Sequence, residues 1–230
     1  MLVLRLGFGG LLVASHAIAC GDSDDPAESA PDPVDVDTGA GGMLDPGSGG
    51  DDDSNEGGAV ESNTYLVDLD TTVGTITIEV HPDWAPLGAA RFRELVEVSY
   101  FDGSKFFRVV PNFVVQFGLA ADPTVSAMWT ERIDDDPVVE SNTRGRVTFA
   151  TSGANSRTTQ LFINYGDNTF LDGMGFAPFG EVVEGTLSIA EQINAEYGED
   201  PDQNRIRNEG DAYLNELFPN LTTIDTATIR

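Results

Sequence analysis

Sulfur nucleophiles and imidazoles are nearly missing from this sequence: its 230 residues hold one cysteine, Cys20, and two histidines. A single cysteine excludes a disulfide within the chain. Residues 63–230 contain His81 and no cysteine, which excludes Cys/His catalysis and a histidine-rich metal site in that stretch. A Ser-His-Asp triad would have to use His81, placed where a strand pattern gives way to the approach to a helix. Asp200, Asp202 and Asn204 faintly suggest a calcium loop, but the glycine its turn requires is missing at the sixth position, so the segment reads as a solvated insertion. Basic side chains are scarce as well, 12 Lys and Arg against 39 Asp and Glu, for a formal net charge of −27. Such a field repels nucleic acid and anionic lipid, and it mildly favours a monomer.

What is present falls into three zones. Residues 1–19 are short and apolar with Arg5 as the one charged side chain, and read as a signal peptide too glycine-interrupted to span a bilayer as a stable helix. Ala17-Ile18-Ala19-Cys20 resembles a lipobox, with Ala17 where that motif prefers leucine. Cys20 is then the lipid-modified first residue of a bacterial lipoprotein in the cell envelope; the other reading is cleavage after Ala19 that leaves a free thiol. More than one acyl chain, each contributing about 0.8 kcal/mol per buried CH₂, is needed for stable anchoring.

Residues 20–62 form an acidic linker: Gly21 to Ser62 carries thirteen Asp and Glu, no Lys or Arg, and many Gly, Pro and Ser. That composition cannot offset chain entropy by apolar burial, and it reads as a disordered tether of roughly 35 Å or more. With those acids and Arg5 set aside, residues 63–230 hold 26 acidic and 11 basic side chains, a formal −15.

In that remaining zone, Thr64 to Leu69 and Gly74 to Val80 alternate as strands around a turn at Asp70 to Gly74. Ala89, Phe92, Leu95, Val96 and Tyr100 recur at helical spacing from Pro86 to a stop at Asp102-Gly103. Further strands are expected over 106–110, 113–117, 146–150, 159–164, 179–183 and 221–229, with a second helix over Leu187 to Tyr197. Many short strands and two separated helices point to a mainly antiparallel sheet or barrel. Ala120 to Ser141, with its acidic run Asp134-Asp135-Asp136, and Gly198 to Asp211 read as surface loops.

Two apolar segments carry polar groups in fixed places: Phe106-Phe107-Arg108-Val109-Val110-Pro111-Asn112-Phe113-Val114-Val115-Gln116-Phe117-Gly118, and Phe149 to Asn155 continuing through Gln160-Leu161-Phe162-Ile163-Asn164. Followed by Phe170-Leu171-Asp172-Gly173 and Phe179-Gly180, they resemble the cyclophilins. On pattern alone Arg108 reads as a surface-facing or acid-paired arginine on a strand, and Phe113 and Phe162 as core aromatics.

The resemblance implies more. The fold would be a cyclophilin-like closed antiparallel eight-stranded β-barrel capped by two helices, and the activity peptidyl-prolyl cis-trans isomerisation of unfolded or flexible proline-containing polypeptides, with no metal or other cofactor. Arg108, Phe113 and Gln116 would be catalytic. Val114, Ala150, Thr151, Asn155, Gln160, Phe162, Phe170, Leu171 and Phe176 would bind substrate. Val114 replaces the family's usual methionine, Phe170 stands where many members have tryptophan, and Phe176 fills the place of a histidine in a loop one residue longer. A tethered module that binds proline segments without turnover is the alternative, and the retained arginine argues against it.

Overall fold

The computed structural model describes residues 63–230; the expected signal peptide, Cys20 and the expected linker lie outside the described residues. Strand β1 (Tyr65–Thr71) pairs antiparallel with β2 (Gly74–Val80), closing at Thr71 opposite Gly74. The hairpin turn is therefore tighter than expected. Thr71 Oγ1 donates to the Gly74 carbonyl and accepts from Val73 N–H, and Gly74 takes φ +126°, a conformation open mainly to glycine. Helix α1 (Pro86–Glu97) begins at its proline and buries Ala89, Phe92, Leu95 and Val96. It stops five residues before Asp102, because Ser99 turns to φ +56° and Tyr100 N–H closes onto the Leu95 carbonyl.

Strands β3 (Arg108–Val110), β4 (Val114–Phe117), β5 (Arg146–Phe149), β6 (Leu161–Asn164), β7 (Pro178–Val182) and β8 (Ile224–Ile229) complete an eight-stranded antiparallel sheet. Its order is β3-β4-β6-β5-β7-β2-β1-β8. The two end strands are not paired along their length. Instead the residues before β3 cross the seam: Phe106 N–H donates to Thr222, Gly103 N–H to Ile224, and Ile224 N–H to Ser104. The sheet is thus curled into a barrel whose closure is approximate, with α1 against β7 and β8, and α3 (Glu184–Ala190) against β2.

The second helix differs from the expected Leu187 to Tyr197. It ends at Ala190, after which Asn194 draws the chain away: its side chain donates to Asn220 C=O and accepts from Glu196 N–H. Both expected surface loops are also structured. Ala120 to Ser141 contains α2 (Pro123–Met128), capped by the Asp122 carboxylate. The last residue of its acidic run turns inward, where buried Asp136 accepts from Leu87 and Gly88 N–H at the start of α1 and pairs with buried Arg157 at 3.0 Å. The later one, Gly198 to Asp211, contains α4 (Gln203–Glu209), capped by Asp202, and leads into α5 (Asp211–Leu217). That cap accounts for the calcium-like spacing. Ile206, Tyr213 and Leu214 bury against Phe107, Leu119 and Leu221 in a small apolar cluster of their own. The signal missed was helical spacing of those three residues, broken by Gly210 at φ +58°.

Candidate active site

Successive side chains of a strand face opposite sides of its sheet, and β4 and β6 are buried on both sides. Val115, Phe117, Leu161 and Ile163 enter the barrel core. Their neighbours Val114, Gln116, Phe162 and Asn164 lie on the other face, buried without joining that core. Phe113 and Phe162, which read as core aromatics by pattern alone, thus stand outside the barrel core: both belong to a second apolar cluster with Val114, Ala150, Leu171 and Phe176.

This cluster reunites six of the expected site residues. Phe162 and Phe176 meet edge to face with centroids 5.8 Å apart, and Phe113 remains half-buried where the cluster meets solvent. Phe170, 61 % exposed, stacks beside Phe113 at 6.1 Å. Such aromatic pairs favour offset or edge contacts, so the rings form a wall with one exposed end.

Polar groups lie along one flank. The register places Arg108 opposite Gln116, and Gln116 opposite Phe162. Gln116 Nε2 donates to Gln160 Oε1 at 2.8 Å, and Arg108 Nη1 lies 3.4 Å from Gln116 Oε1. The Arg108 guanidinium carbon is 5.9 Å from the Phe113 ring centre. Arg108 is 7 % exposed, far more buried than a surface-facing arginine, and it has an acidic partner, Glu199. Beside Gln160 a cavity of about 320 Å³ opens, lined in part by Trp129, Ser152 and Arg207; both insertions therefore border this cavity.

Thr151 and Asn155 are placed differently from the rest. Thr151 Oγ1 bonds Gly153 C=O and Ser156 within its own loop. Asn155 is clasped to Asp135, its amide oxygen accepting from the Asp135 N–H and its N–H donating to the Asp135 carboxylate. Neither side chain belongs to the apolar cluster.

A supporting network was not read from the sequence. Asn142 Nδ2 donates to Asp172 and to the Phe176 carbonyl, while its Oδ1 accepts from Thr148 and Asn164. Asn168 Nδ2 reaches both Asn164 Oδ1 and the Phe113 carbonyl at 2.8 Å. Buried polar side chains of this kind specify one arrangement because each unmade bond is costly. They fix the 3-10 helix Thr169–Met174, which carries Leu171, and the backbone of Phe176. Burial raises the Asp172 carboxyl, but hydrogen bonds from Ser141 and Asn142 outweigh it and hold the group below the usual 3.8. Asparagines scattered in loops have no periodicity, so the only signal was their number.

His81 stacks on Trp84 at 3.8 Å and lies 3.3 Å from Glu79. Among the described residues no group of three or more His, Cys, Asp or Glu is placed to hold a metal ion, and no helix is long and apolar enough to cross a membrane.

The family described as cyclophilin type peptidyl-prolyl cis-trans isomerase/CLD matches residues 66–209. A peptidyl-prolyl cis-trans isomerase of Acinetobacter baylyi is 34% identical over 139 residues, covering 56% of this chain and 71% of the relative. Peptidyl-prolyl cis-trans isomerase A of Dickeya dadantii is 33% identical over 147 residues, 59% of this chain and 74% of the relative. A crystal structure of a Cryptosporidium parvum cyclophilin type isomerase superposes with a TM-score of 0.55 at 20% identity, covering 73% of this chain and 98% of that one. The chain belongs to the cyclophilin-type peptidyl-prolyl cis-trans isomerase family. Strand β8 lies beyond the matched residues, yet its pairing with β1 completes the sheet.

Proposed function

We propose that the outer-face groove carries out the family's reaction with Arg108, Phe113 and Gln116 as catalytic residues, on X-Pro bonds of unfolded or flexible polypeptides in the cell envelope. The observation that carries the assignment is the line Arg108, Gln116 and Gln160 along the flank of an apolar cluster separate from the barrel core. A solved relative from Cryptosporidium parvum was crystallised in the presence of the dipeptide Ala-Pro, which supports a proline-containing substrate for this groove.

The chemistry asks little of titratable groups. Amide rotation has a barrier of about 18–20 kcal/mol because it breaks resonance, whereas the X-Pro isomers differ by about 1 kcal/mol. As the amide twists, its nitrogen becomes pyramidal and its lone pair localises. A guanidinium N–H directed at that nitrogen bonds more strongly to the twisted state than to the planar one, which lowers the barrier. Phe113, Val114, Phe162, Leu171 and Phe176 would receive the proline ring, and Gln116 and Gln160 would hold the peptide backbone. No proton is transferred and no covalent intermediate forms. Without catalysis the step takes tens to hundreds of seconds and limits folding.

The location is read from sequence: a single cysteine directly after an apolar leader, followed by an acidic stretch, supports a lipid-anchored lipoprotein whose domain acts outside the cytoplasm as a monomer. Mass spectrometry of the mature protein tests the anchor, and an unmodified Cys20 thiol overturns it. The activity is tested by NMR exchange in a short Ala-Pro-Phe peptide, with the full chain and its Arg108→Ala variant. The expected outcome is acceleration by the parent and a loss of about a hundredfold in a folded variant. Peptide binding without acceleration by either protein would make the groove a recognition module instead.

A further inference from the structure

Arg108 has a partner that lies 91 positions away in the chain. Glu199 Oε1 stands 2.6 Å from Arg108 Nη2 and accepts from Nε at 2.8 Å. One carboxylate oxygen therefore engages the Nε and Nη2 side of the guanidinium, while Gln116 faces Nη1. Of the five N–H donors of an arginine, those on the remaining edge are engaged by neither Glu199 nor Gln116.

Glu199 is itself held in place by backbone. Gly198 C=O accepts from Val109 N–H at 2.9 Å, so the insertion docks on β3 at the residue next to Arg108. On the other side of Arg108, Phe107 is buried in the insertion's own apolar cluster with Ile206, Tyr213 and Leu214. Tyr197 and Tyr213 both pack edge-on against Phe218, at 5.2 and 5.5 Å, and Asp202 N–H donates to the Tyr213 hydroxyl. The segment that delivers Glu199 is thus packed down on both flanks of the arginine.

We propose that Glu199 is a positioning residue for Arg108, and that the insertion after α3 is part of the catalytic apparatus. The proposal rests on the reading of Arg108 as the group that stabilises the twisted amide. An arginine has many rotamers, and a clamp that selects one before substrate arrives lowers the ordering left for the transition state. The Glu199 side chain is 46 % exposed, so water screens its attraction to Arg108 and its contribution to folding stability is small. Its effect is on direction: two sides of the guanidinium are occupied and the third is aimed.

The test uses the full chain and its Glu199→Gln, Glu199→Ala and Glu199→Asp variants, with prolyl exchange kinetics, thermal unfolding, and the Arg108 side-chain Nε–H signal in ¹⁵N NMR. Glu199→Gln and Glu199→Ala are expected to lower kcat and kcat/KM together by about tenfold with KM nearly unchanged. Glu199→Asp should recover part of the loss, unfolding temperatures should stay level, and the Nε–H signal of the parent should move or broaden in Glu199→Ala. An active parent with unchanged kinetics in the variants overturns the positioning role, as does a rise in turnover, which would make the carboxylate a block on Arg108. A parent that fails to accelerate exchange overturns the isomerase reading of Arg108 and this role with it, a result distinguishable because the variants are then not needed to see it.

Discussion

The barrel core and the groove cluster share strands β4 and β6, and they differ in how they are finished. Inside the barrel, Phe92, Phe101, Phe117, Phe149 and Phe179 lie within about 6 Å of one another in a chain of ring contacts, each wholly buried or nearly so. On the outer face, the cluster of Val114, Ala150, Phe162, Leu171 and Phe176 is bordered by polar side chains and opens at half-buried Phe113. A core is closed by more apolar atoms, whereas this groove is closed by asparagines on one flank and an arginine and two glutamines on the other. The lesson is that alternation along a short strand can supply two apolar surfaces, of which one holds the fold and the other receives a ligand.

Truncating a ring on each side should separate the two roles most widely. Phe179→Ala is expected to lower stability by about 4 kcal/mol in urea unfolding, because it opens a cavity among packed rings. Phe113→Ala is expected to cost about 1 kcal/mol or less while slowing peptide exchange at least tenfold, since its half-exposed ring gains less from folding than from contact with proline. Equal stability losses in the two variants would erase the distinction.

Asn142→Ala probes the groove's polar border. It leaves Asp172, Thr148 and the Phe176 carbonyl short of partners, with an expected loss of about 2 kcal/mol. Exchange activity should fall as well, because Leu171 and Phe176 lose their brace; intact activity in the folded variant would mean that the border only supports the fold.

The smallest effect is expected from acid. Asp172 titrates lower in the folded chain than its ordinary 3.8, burial being outweighed by hydrogen bonds from Ser141 and Asn142. Asp68 is likewise lowered, burial being outweighed by bonds from Arg230 and Thr77 at the β1 and β8 edge of the barrel. A carboxyl depressed on folding stabilises above its unfolded pKa, and that contribution disappears as pH falls through the folded value. Stability should therefore decline below about pH 4, and Asp172→Asn should lessen the decline, as followed by circular dichroism at constant ionic strength.

Much of this was legible in the residues themselves. Alternation and turn chemistry located all eight strands to within a few residues, and the pattern around Arg108, Gln116 and Phe162 placed them on one face once the pairing of β3, β4 and β6 was known. The two insertions were misread as loops. Asp134-Asp135-Asp136 has the composition of a solvated run, and nothing local says that Asp136 meets Arg157 and the first turn of α1.

The sequence by itself determined the two-residue period that sends Val115 inward and Gln116 outward, the helix start at Pro86, and the lack of groups for Cys/His catalysis or a histidine-rich metal site in residues 63–230. Only the tertiary structure decided which partner Arg108 meets, how the asparagines join into one network, and that Tyr213 and Leu214 pack beneath Phe107. The physical reason is range. Periodicity is set by the backbone geometry of neighbouring residues, whereas a contact across 91 positions is set by where the curled sheet brings two segments together.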